Sequence, residues 1–236
     1  MNPLIARIGH GLTAAVGIFA LIAQLVLVIE GASVLITDDP PSLAERLRRF
    51  VLYFTIQCNL LAAVAAVSLM IKPDWNGAFW RVLRLDAVVG MIITGLVHWF
   101  FLRPLLDLQG WSYATDNLLH VVTPILVVLC WIAFGPRPRI DLRTGLLALI
   151  WPVAWMVLIL VQGAVSGWYP YPFLDVGSQG AGPVAIAAVL IAVAMIVTGL
   201  LTAAAERRLP VWLAPDHPRS PRTSPAADSG PRGSRP

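Results

Sequence analysis

Two pairs of polar residues, each spaced four apart, interrupt otherwise apolar segments of the chain. Thr55 and Asn59 form one pair, and Asp116 and His120 form the other. Residues at positions i and i+4 share one face of an α-helix, so each pair would present its side chains together. A hydroxyl beside an imidazole supplies a nucleophile and a general base, and a carboxylate can hold the imidazole in the required tautomer. The pattern therefore predicts acyl transfer, with Thr55 as nucleophile, His120 as base and Asp116 as the orienting residue.

Neighbouring amide side chains extend this candidate site. Gln57 or Asn59 could donate a hydrogen bond to the developing oxyanion, and Asn117 is an alternative to Asp116 as the partner of the histidine. Thr, Asn and Gln also form hydrogen bonds between helices in membrane proteins without any catalytic role. A structural role for these residues is therefore the alternative interpretation.

His98 precedes Trp99, and this pair is typical of a membrane–water interface. The same histidine is a candidate for the pocket of Thr55. Two histidines and an aspartate can also bind a metal ion. His98 and His120 come from separate helices and lack the close sequence spacing of paired metal ligands, so we predict neither a metal site nor a cofactor.

The composition shows what kind of element must carry these residues. The chain has 236 residues, of which 58% are hydrophobic and 13% charged, and its mean hydropathy is +0.76. Soluble domains are about 25% charged, so this composition excludes a soluble enzyme, a disulfide scaffold and a nucleic-acid-binding domain. The net charge of +4 does not change this, because six of the seventeen cationic residues lie beyond position 205. No nucleic-acid partner is predicted.

Six segments are long and apolar enough to cross a bilayer, which needs about 20 residues per helix. They run from Ile8 to Ile29, Phe50 to Ile71, Val82 to Leu102, Asp116 to Phe134, Thr144 to Gln162 and Pro183 to Ala204. The first is too long for the apolar part of a signal peptide, so we interpret it as a retained helix. The predicted fold class is all-α, a bundle of six transmembrane helices.

The distribution of cationic residues predicts the orientation of this bundle. Thirteen of the seventeen fall on one side if the N-terminus is cytoplasmic, and four fall on the other. Both termini are therefore predicted to be cytoplasmic, and the loop containing Asp38 and Asp39 is predicted to face outward. Only one of the seventeen cations is a lysine, which is typical of a GC-rich bacterial genome, and we expect a bacterial plasma membrane. Residues 1–213 form the predicted membrane domain, and residues 214–236, rich in Pro, Ser and Arg, a disordered tail.

This topology places the candidate residues at one depth. Thr55 and His120 each follow the outer end of an inward-running helix, and His98 ends an outward-running helix. Pro124 leaves the His120 carbonyl without its helical donor, and such an irregularity favours a cavity. Cys58 and Cys130 would lie at different depths, which favours two buried thiols over a disulfide.

Three segments, in order, resemble the androgen-induced-gene family of six-pass membrane proteins and its prokaryotic six-pass relatives. They are Phe54-Thr-Ile-Gln-Cys-Asn59, Asp116-Asn-Leu-Leu-His-Val-Val-Thr-Pro124 and Trp168-Tyr-Pro-Tyr-Pro-Phe-Leu-Asp175. Animal members hydrolyse fatty acid esters of hydroxy fatty acids with a threonine nucleophile and a histidine, without a metal. The resemblance implies that Thr55 and His120 take these roles. It also implies that Tyr171 to Asp175, in the last outer loop, corresponds to the family's Tyr-Pro-Phe-Leu-acid segment.

The resulting expectation is an integral membrane hydrolase that cleaves lipid esters near the outer leaflet. Membrane lipids and a lipid ester substrate are the expected partners, and the loop with Tyr171 and Asp175 would cover the mouth of the pocket. The competing expectation is a non-catalytic membrane protein that binds a lipid or a small ligand as a sensor or assembly partner. The sequence predicts no oligomeric state.

Overall fold

A computed structural model describes residues 3–31, 41–137 and 139–210. The loop with Asp38 and Asp39 and the predicted tail at 214–236 lie outside the described residues. Within the described ranges the chain is helical and contains no β-strand. The α-helices are α1 Pro3–Glu30, α2 Leu43–Leu52, α3 Phe54–Ile71, α4 Ala78–Val97, α5 Gly110–Asn117, α6 Thr123–Phe134, α7 Leu142–Ala148, α8 Ile150–Ser166, α9 Val176–Gln179 and α10 Ala181–Arg208.

Six stretches of the described residues are long and apolar enough to cross a membrane, which confirms the predicted all-α architecture with six candidate spans. Two of these stretches contain short π or 3₁₀ turns, and another joins the consecutive helices α7 and α8. The spans are Pro3–Glu30, Phe54–Ile71, Ala78–Leu105, Gly110–Phe134, Leu142–Ser166 and Ala181–Arg208, and we number them one to six. The protein is therefore a multi-pass membrane protein, whereas its orientation and the identity of its membrane remain predictions.

The predicted second helix is wrong at its start. The apolar pattern begins at Phe50, but the structure places this residue in the separate helix α2 and begins the second span at Phe54. Tyr53 separates the two helices with an extended backbone, φ −65° and ψ 128°. Helix α2 is strongly amphipathic and carries three arginines, and its first turn is capped by the Ser42 hydroxyl, which accepts from the Glu45 amide at 3.3 Å. A helix with so many charges is suited to the membrane interface rather than to its interior.

Small residues allow the spans to pack closely, as is usual in membrane bundles. A Cβ on Gly90 of α4 would lie 2.8 Å from the Cys58 sulfur of α3, and one on Gly9 would lie 2.5 Å from the Phe134 ring. Cys58 and Cys130 are both buried and free, which confirms the prediction of two separate thiols. The second and third spans are the most buried of the six, and much of α4 from Leu83 to Thr94 is buried.

Both candidate histidines lie in π turns. His98–Leu102 is π-helical at the end of the third span, and Leu118–Val122 is π-helical in the middle of the fourth. In the fourth span Pro124 has no amide to donate to the His120 carbonyl, which accounts for the predicted irregularity. Gly95 packs against this turn, because a Cβ there would lie only 3.3 Å from the His120 carbonyl oxygen.

Candidate active site

Thr55, His120 and Asp116 form a chain of hydrogen bonds between the second and fourth spans. The Thr55 Oγ1 lies 3.1 Å from His120 Nε2. On the other side of the ring, His120 Nδ1 lies 2.9 Å from the Asp116 carboxylate and 3.0 Å from the Asp116 carbonyl oxygen. Thr55 and Asp116 are buried, and His120 is partly accessible. The hydroxyl of Thr55, the imidazole of His120 and the carboxylate of Asp116 are thus in contact in that order.

The surroundings of His120 determine its tautomer. Both groups facing Nδ1 are oxygens without hydrogens, so Nδ1 carries the proton and donates it. In the neutral ring Nε2 is then an acceptor, and the Thr55 hydroxyl donates to it. This arrangement directs the lone pair of a general base at the proton of a nucleophile.

His98 shares the same carboxylate. Its Nε2 lies 3.1 Å from the second oxygen of Asp116, and its ring stacks on that of His120 with centroids 3.9 Å apart. The side chain is 1% exposed, so it is not the interfacial residue that its neighbour Trp99 suggested. The sequence placed His98 at the right depth but contained no signal that it would contact Asp116.

Asn59 fixes the second span against the fourth. Its Nδ2 donates to the Thr55 carbonyl at 2.9 Å and to the Leu119 carbonyl, in the π turn of the histidine, at 3.2 Å. The side chain is fully buried. These two hydrogen bonds hold the backbones that carry Thr55 and His120 at a fixed separation.

Tyr171 reaches the site from the loop between the fifth and sixth spans. Thr55 lies in the first turn of α3, where backbone amides have no helical acceptor, and its N–H donates to the Tyr171 oxygen at 3.4 Å. The Tyr171 hydroxyl accepts this hydrogen bond, so its own O–H can be donated to another acceptor. Burial raises the pKa of Tyr171, so the group remains a hydrogen-bond donor at neutral pH. A protonated phenol beside the nucleophile is suited to stabilise an oxyanion.

A cavity of about 420 Å³ opens over this chain of residues. Thr55, His98, Asp116 and His120 line it together, and further polar side chains line it elsewhere: Gln24, Arg46, Arg49, Ser112, Asp175 and Ser178. The rest is largely apolar and includes Leu27, Val28, Phe50, Leu102, Leu105 and Leu106. The volume lies within the usual range for small-molecule sites, about 300–1,000 Å³.

The segment from Trp168 to Pro172 also lines the cavity, and helix α2 holds it there. Gln162 Nε2 donates to the Trp168 carbonyl at 2.6 Å, and Arg48 donates to Oε1 of the Gln162 side chain. The Arg49 guanidinium lies 4.9 Å from the centroid of the Trp168 ring, in a cation–π contact. Glu45 binds both arginines, at 2.6 and 2.7 Å, and this lowers its pKa to about 2. No motif in the sequence indicated this network.

Three predicted residues do not line the cavity. Gln57 accepts from the Trp151 indole at 3.0 Å and donates to the Val51 carbonyl, which directs its amide away from Thr55. Asn59 uses its donors on backbone carbonyls, as described above. Asn117 accepts from Arg103 at 3.1 Å and donates to the Tyr113 carbonyl. Of the pair at 116 and 117, only Asp116 contacts the histidine.

Asp175 lines the cavity, but its side chain has a structural partner. Its Oδ1 accepts from the amides of Gly177 and Ser178 at 2.9 and 3.2 Å, and so caps the short helix α9. This is the common role of Asp at a helix N-terminus.

His98, Asp116 and His120 could also coordinate a metal ion. Each offers one ligand atom, and the three atoms lie within 4.8 Å of one another. An ion bound there would take a nitrogen of His120 that now contacts either Asp116 or Thr55. Metal binding and the hydroxyl–imidazole–carboxylate chain are therefore mutually exclusive uses of the same side chains.

Comparison of the chain with protein-family models, with curated proteins and with solved structures finds no match. The class that the fold and site define is that of a six-span helical membrane protein with a Thr–His–Asp constellation over a largely apolar cavity.

Proposed function

We propose that this protein is a membrane hydrolase that cleaves lipid esters with Thr55 as nucleophile and His120 as general base. The observation that carries the proposal is the 3.1 Å contact between the Thr55 hydroxyl and the unprotonated Nε2 of His120. The resemblance of the three sequence segments to six-pass lipid ester hydrolases supports the same assignment.

In the first half of the reaction, His120 Nε2 takes the Thr55 proton while the Thr55 oxygen attacks the ester carbonyl. The negative charge on the carbonyl oxygen is stabilised by the hydroxyl of Tyr171. The imidazolium, held by the Asp116 carboxylate, then gives its proton to the leaving alcohol as the ester C–O bond breaks. The products of this half are a free alcohol and an acyl ester on Thr55.

Water completes the reaction. His120 Nε2 removes a proton from a water molecule, whose oxygen attacks the acyl carbonyl of Thr55. Collapse of this second tetrahedral species breaks the bond to the Thr55 oxygen, which recovers its proton from His120. A carboxylic acid is released, and the neutral imidazole is regenerated with Nδ1–H still facing Asp116.

The cavity favours an ester with an apolar acyl chain. Leucine, valine and phenylalanine side chains form much of its wall, although Gln24, Arg46 and Arg49 line it as well. Burying an acyl chain there contributes about 0.8 kcal/mol for each CH₂ group. The substrate class that fits is therefore a fatty acyl ester that enters from the lipid phase.

The test uses purified protein, a fluorophosphonate probe and a panel of fatty acyl esters. Wild type is expected to turn over esters and to carry the probe on Thr55, as located by peptide mass spectrometry. Thr55→Ala and His120→Ala are expected to lose labelling and turnover. Thr202→Ala is the matched control, because this buried threonine hydroxyl bonds only the Thr198 carbonyl of its own helix.

Labelling or turnover that persists in Thr55→Ala would overturn the proposal. A wild-type protein that binds fatty acyl esters in the cavity but neither cleaves them nor reacts with the probe would favour the competing lipid-binding function. The cavity is compatible with both functions, and the contact between the Thr55 hydroxyl and the His120 ring is the feature that favours catalysis.

A further inference from the structure

A second cavity lies at the other end of the bundle. Its volume is about 60 Å³, and it is lined by Arg81, Arg84 and Arg139 together with His10 and Glu206. His10 lies fourteen residues before Gln24, which lines the Thr55 cavity. Along the first span this corresponds to a separation of about 21 Å. The two cavities are therefore distinct sites.

Buried nitrogen atoms around the second cavity lack hydrogen-bond partners. Among the described residues, Arg84 Nη2, Arg139 Nη1 and His10 Nε2 are buried and make no hydrogen bond. The other terminal nitrogen of Arg84 donates to the Trp75 carbonyl at 2.6 Å. Leaving a buried guanidinium N–H unpaired is costly, so these groups call for an acceptor within the cavity.

The charges around this cavity do not balance. Three arginines face it with one carboxylate, that of Glu206. Glu206 Oε2 already accepts the backbone amides of Arg139 and Ile140, at 2.8 and 3.1 Å. Asp141 lies 3.9 Å from Arg81, but it is exposed and does not line the cavity. An anion bound among the three arginines would offset their excess of positive charge.

We propose that this cavity binds a phosphate group, supplied either by a lipid headgroup or by free phosphate. A guanidinium offers paired donors that match phosphate oxygens, and both Arg84 and Arg139 line the cavity. A volume of about 60 Å³ holds about four water-sized spheres. That is the scale of one phosphate group and far below that of an acyl chain.

The experiment measures thermal unfolding of the full chain in dodecyl maltoside micelles, which contain no phosphate. In one arm inorganic phosphate is titrated at constant ionic strength. In the other arm inorganic phosphate is absent, and phosphatidylglycerol is added to the micelles. Wild type, Arg139→Gln and Arg143→Gln are compared, the last as a control because Arg143 is exposed and does not line the cavity.

A ligand at saturating concentration is expected to raise the Tm of wild type and Arg143→Gln by about 3 °C in at least one arm. Arg139→Gln should require at least tenfold more phosphate, or show no response to the anionic lipid. A response confined to phosphatidylglycerol identifies a headgroup as the ligand, and a response confined to inorganic phosphate identifies the free anion. Equal responses of Arg139→Gln and Arg143→Gln, or no response of wild type, would overturn the proposal.

Arg81→Gln repeats the comparison if Arg139→Gln does not fold. The Arg81 side chain bonds Asn76 in an exposed contact, so its replacement leaves the buried hydrogen bonds in place. Ester hydrolysis plays no part in this assay, so its outcome is independent of the proposed catalytic function.

Discussion

The rings of His98 and His120 stack with their planes inclined by 13°, and each places a nitrogen near one oxygen of Asp116. Asp116 therefore has a partner on each oxygen. We expect His98 to act as a positioning residue, since it contacts the carboxylate and the base rather than Thr55.

Replacing His98 by Phe retains a stacking ring but removes the nitrogen that faces Asp116. A hydrogen bond to a charged group contributes about 1.5–3 kcal/mol, so kcat should fall by about 10- to 100-fold while KM changes little. The dependence of kcat on pH should also differ from that of wild type. Unchanged kcat and an unchanged pH profile would show that His98 has only a packing role.

Asp116→Asn should impair turnover more severely. An amide can donate to His120 Nδ1 and so stabilise the tautomer whose Nε2 carries the proton, which cannot accept from Thr55. By analogy with the Ser–His–Asp triad, we expect a loss in kcat on the order of 10³- to 10⁴-fold. Asn117→Ala is the adjacent control, because Asn117 does not line the cavity, and it should retain turnover close to that of wild type in the same ester assay.

Gly163→Ala should disturb the loop that covers the cavity. The Tyr169 ring packs directly on Gly163, and a Cβ would overlap the ring atoms. We expect a loss of about 1–3 kcal/mol in the free energy of unfolding and a rise in KM, because Tyr171 moves with the loop. Gly145→Ala, in the same span, meets nothing within 4 Å, so it should leave KM unchanged. Its free energy of unfolding should stay the same or rise by about 0.5–1 kcal/mol, because alanine favours a helix over glycine. Equal KM and Tm values for the two variants would contradict this account of the loop.

The network of Glu45 with Arg48 and Arg49 should contribute to stability in a pH-dependent manner. Because these arginines lower the pKa of Glu45 from 4.5 to about 2, the contribution is fully present above pH 4.5 and is lost as the pH falls toward 2. Thermal unfolding of wild type and Glu45→Gln should therefore differ at pH 7 and converge only as the pH falls to about 2. A Tm difference that grows on acidification would have the wrong sign for this ion pair.

Removal of metal ions distinguishes the two uses of His98, Asp116 and His120. Hydrolysis by the threonine mechanism should survive prolonged chelation and dialysis with full kcat. Loss of turnover on chelation, together with its recovery on addition of zinc, would instead assign the three residues to a metal centre.

The depth of the site could be predicted from sequence, because helix ends are marked by charge, proline and glycine. Thr55 and His120 both follow the outer end of a predicted span, and in the structure they are in contact. The direction in which each side chain points around its helix could not be predicted from the hydrophobic pattern, because several spans are apolar on every face. Gln57 shows the difference: at about 100° per residue it points roughly 200° away from Thr55, and the structure places its amide on the Trp151 indole.

Other features depended on tertiary contacts that have no local signal. The role of Asn59 requires the Leu119 carbonyl, which faces it across the interface between two spans. The separation of α2 from the second span was hidden because the apolar residues around Tyr53 continue across the break. The arginines of α2 are the feature of the sequence that indicates this break, because a charged amphipathic helix and an apolar span belong in different parts of a bilayer.

The π turns at His98–Leu102 and Leu118–Val122 affect how this chain should be compared with others. Each holds about one residue more than the α-helical turn it replaces, so the helix beyond it is rotated by about 100°. The parts of the third and fourth spans on either side of a histidine therefore follow different helical phases. Related chains should be compared in two blocks that meet at the histidine, with a one-residue gap permitted between them.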